Sequence, residues 1–321
     1  MKVLIIRFSS IGDVVLTTPI VRCLKTQKNA TVHYLIKEKF KEVIQENPNI
    51  DKVFIYKKGV LKKLSKEKYD YIIDLQNNFN SYKIKTRLKH IKKLTVNKEN
   101  IKKWLLVNIG VDLLKKQHIV DRYFKTIKSL NISNDKKGLD FFIKSSSEID
   151  KNILSIDLNK PYIAWAVGAS YKNKIISAKQ IIKVCNQLNE PVVLLGGKQD
   201  FLFAQKVIVE TKNKQVYNLC GKLTLNESAF MVKKSSIVLT NDTGLMHIAS
   251  AFKKKIISFW GCTKPSLGMY PYLADPQSKE LVFNSQKRPC SKLGNRCRYS
   301  KKGCIINIKS NAIFKEIQKA L

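Results

Sequence analysis

Short apolar runs rich in Val, Ile and Leu alternate along the chain with stretches whose apolar positions recur every three or four residues. The first kind suits strands buried on both faces and the second suits amphipathic helices, so their alternation predicts a mainly parallel sheet covered by helices. In the first half the runs fall at 3–8, 31–36, 52–56, 71–75 and 93–96, with helical patterns between them such as 14–27 and 37–46. Residues 134–160 break this rhythm, being polar and carrying Lys136, Lys137 and a Ser145-Ser146-Ser147 run. From Pro161 it resumes, with strands at 162–166, 192–195, 237–240 and 256–259 and helices near 178–188, 200–212, 226–233 and 245–252. A chain of 321 residues is long for one doubly wound domain and suits two. The pattern therefore predicts an α/β protein of two doubly wound domains, 1–157 and 158–321, with a cleft between them and ligand loops at the carboxyl ends of the strands.

Charge changes the picture next. Sixty Lys and Arg stand against 24 Asp and Glu, a formal net of +36. A field of that sign attracts nucleic acid, anionic lipid or phosphorylated substrates without distinguishing among them, and the abundance of Lys, Asn and Ile fits compositional bias equally well. No basic region interleaved with aromatics is present to stack on bases, so nucleic acid is not an expected partner. No run approaches the roughly 18 apolar residues of a membrane span. Arg7 and Asp13 interrupt the N-terminal apolar stretch, which reads as a buried strand rather than a signal peptide. Seven cysteines without dense spacing fit reduced thiols in the cytosol. The gaps between Cys290, Cys297 and Cys304 are not those of short zinc pairs, so they read as separate thiols, and no metal is expected.

Four loops at strand ends can carry chemistry. Ser9-Ser10-Ile11-Gly12-Asp13 follows the first strand; Gly12 permits a tight turn, and Asp13 on the first helical turn suits either a general base or a helix cap. Asn241-Asp242-Thr243-Gly244 opens a helix whose N-terminus suits phosphate, with His247 one turn in, as an anion ligand or a structural histidine. Gly168-Ala169-Ser170 admits a ligand, and Lys174 supplies a point charge suited to a diphosphate. Gly196-Gly197-Lys198-Gln199-Asp200 either brings Asp200 to a ribose hydroxyl or is a simple glycine turn. Neither a dinucleotide-binding glycine fingerprint nor a P-loop occurs, which counts against both of those classes. With no Asp-x-Asp, a metal-clamped diphosphate is less expected than one held by Lys and helix N-termini.

Together these loops resemble the lipopolysaccharide core heptosyltransferases, glycosyltransferase family 9. The resemblance rests on Ile5 through Asp13 followed by Thr17-Thr18-Pro19. It continues with Asp242 through His247 and Ala249, then a strand and Gly261-Cys262-Thr263. It extends through the Gly-Ala-Ser loop, the Gly-Gly turn and Leu219 to Leu225, and departs at Lys174-Ile175-Ile176-Ser177, where the family often has Lys-Arg-Trp-Pro. It implies a GT-B architecture of two Rossmann-like domains facing a central cleft. The N-terminal domain would bind acceptor and the C-terminal one the nucleotide sugar, with the last helix able to pack back on the first. It also implies an inverting, metal-independent transfer from ADP-heptose, without cofactor, to phosphorylated Kdo-lipid A at the inner face of the cytoplasmic membrane. Asp13 resembles the base, with Ser9, Ser10 and Gly12 on the acceptor side. Ser170, Lys174, Gly196, Gly197, Asp242, Thr243, Gly244 and His247 resemble donor contacts, with Asp200 facing ribose and Leu223 adenine. A different nucleotide sugar on the same scaffold is the alternative. The basic surface suits an anionic membrane.

Overall fold

A computed structural model describes residues 1–115, 117–144, 157, 158, 160–283 and 288–321. The Ser145-Ser146-Ser147 run lies outside the described residues. The chain divides into two compact units, Met1–Glu99 with Gln117–Phe142, and Asn100–Lys116 with Ile143–Leu321.

The first unit is built on five parallel strands, β1 (Lys2–Ile6), β2 (Thr31–Ile36), β3 (Lys52–Ile55), β4 (Tyr71–Asp74) and β5 (Lys92–Thr95), in the order β3-β2-β1-β4-β5. Central β1 is buried on both faces because its side chains alternate between two packed layers. Leu4 and Ile6 point into a cluster with Phe8, Leu35, Phe54, Leu64, Ile72 and Ile84. The helical pattern expected over 14–27 is two helices, Ile11–Val15 and Thr18–Lys28. Pro19 has no N–H to give the Val15 carbonyl, so the helix cannot run through. The Thr18 hydroxyl donates to Val15 O at 2.8 Å instead, and Thr17 Oγ1 donates to Val14 O at 2.7 Å. The pattern at 37–46 is a 3₁₀ helix, Glu38–Val43. Its few apolar residues at three-residue spacing suit the tighter turn as well as an α-helix.

The second unit carries β6 (Ile163–Ala166), β7 (Val192–Leu195), β8 (Val216–Asn218), β9 (Ile237–Asn241), β10 (Lys255–Trp260) and β11 (Lys279–Val282), parallel in the order β11-β10-β9-β6-β7-β8. Alternation again sorts the strands into two cores. Ile163, Trp165, Val192, Leu194, Ile237, Leu239, Ile257 and Phe259 lie in one. Ala164, Val193, Leu195, Val238, Ile256 and Trp260 lie in the other. The C-terminal helix Ser310–Ala320 buries Ile313, Ile317 and Ala320 in the first of these cores, against the helix Ala178–Cys185 and β10. Among the described residues no helix is long and apolar enough to cross a membrane.

Candidate functional site

In the first unit the strand order reverses between β1 and β4, and in open sheets of this kind ligands sit beyond the strand ends at that reversal. The loop leaving β1 holds Arg7 and Asp13 there. Arg7 is only 7% exposed; its guanidinium donates to Ser9 O at 2.8 Å, Leu75 O at 2.6 Å and Tyr123 Oη at 3.3 Å. A remaining nitrogen meets Asp13 Oδ1 at 2.5 Å. Burial works against charge on Arg7, but the facing Asp13, aided by Tyr123 and Tyr34, outweighs it and raises its pKa. Burial pushes the Tyr123 hydroxyl up to about 12, keeping it a neutral neighbour. The other Asp13 oxygen accepts from Ser10 N at 3.2 Å and Ser10 Oγ at 2.8 Å. Asp13 therefore does cap its helix, yet a quarter of its side chain stays exposed and its orientation is fixed from two sides. Gly12 is buried under the turn, Ser9 half-buried and Ser10 exposed. The loop leaving β4 closes the same end, with Gln76 Oε1 accepting from Phe8 N at 2.9 Å.

In the second unit the reversal lies between β6 and β9. Asn241, fully buried at the end of β9, donates to Val167 O at 2.8 Å and so ties the two strand-end loops together. Lys174 Nζ meets Asp242 Oδ2 at 2.6 Å, and Thr263 Oγ1 donates to the same oxygen at 3.1 Å. Thr243 Oγ1 accepts from Leu245 N at 3.2 Å and starts the helix Gly244–Ala251, in whose first turns His247 is buried, 2% exposed. The loops after β6 and β7 meet over Asp200, which accepts from Gly197 N at 2.8 Å. Burial pushes its carboxyl up, against the opposing pull of that N–H. Gly168 must lack a side chain here: a Cβ would stand 2.2 Å from Asp200 Oδ2. Gly196 packs on the same carboxylate. Ser170 is exposed on the first loop, and Leu223, half-buried, lies against the second core beyond β8.

The structure thus joins Lys174, Asp242, Thr243 and Gly244 into one cluster, and Asp200 with Gly196, Gly197 and Gly168 into another. Ser9, Ser10, Gly12 and Asp13 form a third in the other unit. Sequence reasoning gave no role to Arg7, Gln76, Asn241 or Thr263. Arg7 and Asn241 had a signal, since a charged or amide residue ending a buried apolar run must find partners inside. It also read Cys290, Cys297 and Cys304 as separate thiols, whereas their sulfurs lie together with that of Cys262, all four within 4.8 Å of one another.

Two open parallel sheets of this strand order, each with polar loops at its reversal, define a pair of Rossmann-type α/β units. Residues 59–302 match the profile of glycosyltransferase family 9 (heptosyltransferase), and the chain belongs to that family. Lipopolysaccharide heptosyltransferase 1 of Campylobacter coli is 26% identical over 290 residues, spanning 82% of this chain and 84% of that protein. The glycosyl transferase family 9 structure from Veillonella parvula superposes with a TM-score of 0.80 at 20% identity, covering 99% of this chain and 96% of that one. Escherichia coli heptosyltransferase WaaC with ADP gives 0.72 at 18% identity, covering 100% of both chains. The architecture is GT-B.

Proposed function

We propose that the chain transfers a heptose from ADP-heptose to the Kdo and heptose inner core of lipopolysaccharide, at the inner face of the cytoplasmic membrane. The observation that carries this reading is the cluster of Lys174, Asp242 and Thr263 at the N-terminus of the helix Gly244–Ala251, at the strand reversal of the second unit. A helix N-terminus and an ammonium together offer a diphosphate what a bound metal would otherwise supply. Lys174 is held by Asp242 until donor arrives, so the diphosphate shares or takes over that ammonium. Asp200 faces the ribose and Leu223 the adenine, with Ser170, Gly196, Gly197 and His247 completing the donor side. WaaC was solved with ADP, which supports the adenine diphosphate, and the heptosyltransferase named in Campylobacter supports the sugar and acceptor.

The reaction is a single displacement at the anomeric carbon with inversion. Asp13, oriented by Arg7 and Ser10, takes the acceptor hydroxyl proton as the new bond forms, and Ser9, Ser10 and Gly12 shape the acceptor side. Charge developing on the departing diphosphate is met by Lys174 and the helix after Asp242. Neither a cofactor nor a metal enters the chemistry. A mass-spectrometric donor screen tests the proposal. Transfer to Kdo-lipid A is expected from ADP-heptose with no magnesium or manganese supplied, whereas transfer only from a different nucleotide sugar overturns the donor assignment.

A further inference from the structure

Residues 288–303 run without helix or strand, and two large apolar side chains they contain, Leu293 and Tyr299, are exposed. A segment of that length held in one place needs a clamp other than a hydrophobic core. What lies at its centre is sulfur. Cys290, Cys297 and Cys304 converge on Cys262, in the loop that leaves β10, and three of the four are buried. Sγ of Cys304 is 3.6 Å from that of Cys262 and 4.0 Å from that of Cys290. Four sulfurs about 2.3 Å from a central ion stand about 3.8 Å apart along the edges of a tetrahedron, so these spacings are those of a tetrathiolate site rather than of disulfides.

The surroundings fit thiolates. Tyr299 N donates to Cys297 Sγ at 3.3 Å, and Cys290 N donates to Cys262 O at 2.9 Å, fixing the two ends of the sulfur set. Arg288 is 3% exposed beside three of the sulfurs, and among the described residues no carboxylate pairs with it. Its guanidinium donates to the carbonyls of Phe283 and Thr263, while Nε has no hydrogen-bond partner there. A buried cation of this kind calls for a neighbouring anion, and four thiolates around a divalent ion carry a net charge of about −2.

We propose that Cys262, Cys290, Cys297 and Cys304 hold one thiophilic metal ion, zinc or iron, as a closed structural site that fixes the 288–304 loop. An all-sulfur tetrahedron selects these metals over magnesium, calcium or manganese, and binding releases the thiol protons. The fixed loop reaches two places. Lys292, Arg296 and Arg298 bond to Asn100, Asn108 and Val107 of the helix Asn100–Asn108. Gly294, at φ +79°, lies so close along the Lys174 stem that a Cβ would be 2.6 Å from its Cε. The metal therefore also positions the Lys174 ammonium against Asp242, and this second consequence rests on the donor reading above.

Metal analysis of the full-length protein, purified under reductant from cells supplied with zinc and iron, is the test. About one ion per chain is expected, with four sulfurs at about 2.3 Å by X-ray absorption. Visible thiolate-to-metal absorption identifies iron, and its absence zinc. Cys290→Ser with Cys304→Ser should lose the metal, while Cys185→Ser retains it. Wild-type protein that takes up neither zinc nor iron on reconstitution, or that carries these four sulfurs as disulfides, overturns the site without need of any variant. Stripping the ion with an organomercurial should weaken ADP binding at least about tenfold. Unchanged ADP affinity in stripped protein overturns the link to Lys174, independently of metal content.

Discussion

At the scale of single residues, the first candidate site turns on one carboxylate with two attachments. Asp13 caps its helix through Ser10 and pairs with buried Arg7, so the capping role open to it in the sequence is filled and its other oxygen is held by an ion pair. The variants separate them unequally. Asp13→Ala leaves Arg7 buried without its anion and so perturbs the fold as well as the chemistry. Asp13→Asn also removes the anion facing Arg7 but keeps the shape and an oxygen that can still accept from Arg7 or Ser10, so it removes the base with less disturbance of the fold. Turnover of Asp13→Asn is expected to fall at least about a hundredfold, the lower range for loss of a general base, with ADP affinity changed less than about twofold. Steady-state kinetics with calorimetric ADP titration reads both. Near-normal turnover in Asp13→Asn leaves Asp13 as a cap alone.

At the scale of elements, the first unit is closed by a clamp rather than by a strand. Arg22, on the helix Thr18–Lys28, pairs with Asp135 at 2.7 Å and with Asp140, and also donates to Gly138 O at 2.8 Å, binding the segment after the helix Ile119–Thr126. The Arg22 hydrogen bonds hold the Asp135 carboxyl down at about 2. A carboxylate depressed in the fold contributes stability above its unfolded pKa and loses it as pH falls through the folded one. Arg22→Met should cost roughly 2–4 kcal/mol at neutral pH, somewhat under a fully buried pair because both carboxylates keep some exposure. Urea unfolding should show the gap to wild type narrowing as pH drops from about 4 to about 2. A gap unchanged at pH 2 would assign the effect to packing of the Arg22 stem. Elements of this kind are where the sequence is least legible. The central strands were readable because both faces are covered, which makes them continuous apolar runs. β8 (VYN) and β11 (KELV) are short edge strands, and the charged Lys279-Glu280 start of β11 looks like loop. The site loops were readable for a related reason, since their glycines, hydroxyls and acids follow apolar runs. Their partners were not: Asp200 against Gly168, Arg7 on Leu75, and Cys262 among the later cysteines depend on strand order, which spacing along the chain does not encode.

At the scale of the whole molecule, the net charge of +36 acquires a geometry. Residues 57–103 hold 15 Lys or Arg against 4 Asp or Glu. The sheet divides them. Lys57, Lys58, Lys62 and Lys63 are exposed beside β3, where Lys52, Lys63 and Lys66 line a basic hollow. Lys92 and Lys93 are exposed on β5, the opposite edge of the same five strands. A flat bilayer resting on one edge does not touch the other, so only one set can anchor the protein to anionic lipid. The β3 set is the denser, and each basic side chain near such a surface contributes about 1 kcal/mol. Neutralising Lys57, Lys58, Lys62 and Lys63 to Gln should therefore weaken binding to phosphatidylserine vesicles at least about a hundredfold at low salt, whereas Lys92→Gln with Lys93→Gln changes it less than about threefold. Wild-type binding should itself fade as the screening length contracts from about 10 Å at 0.1 M salt toward about 3 Å at 1 M. Vesicle sedimentation measures all three. Equal losses from both edges would make the charge a diffuse field rather than a docking face, and no binding at low salt would return the excess lysine to compositional bias.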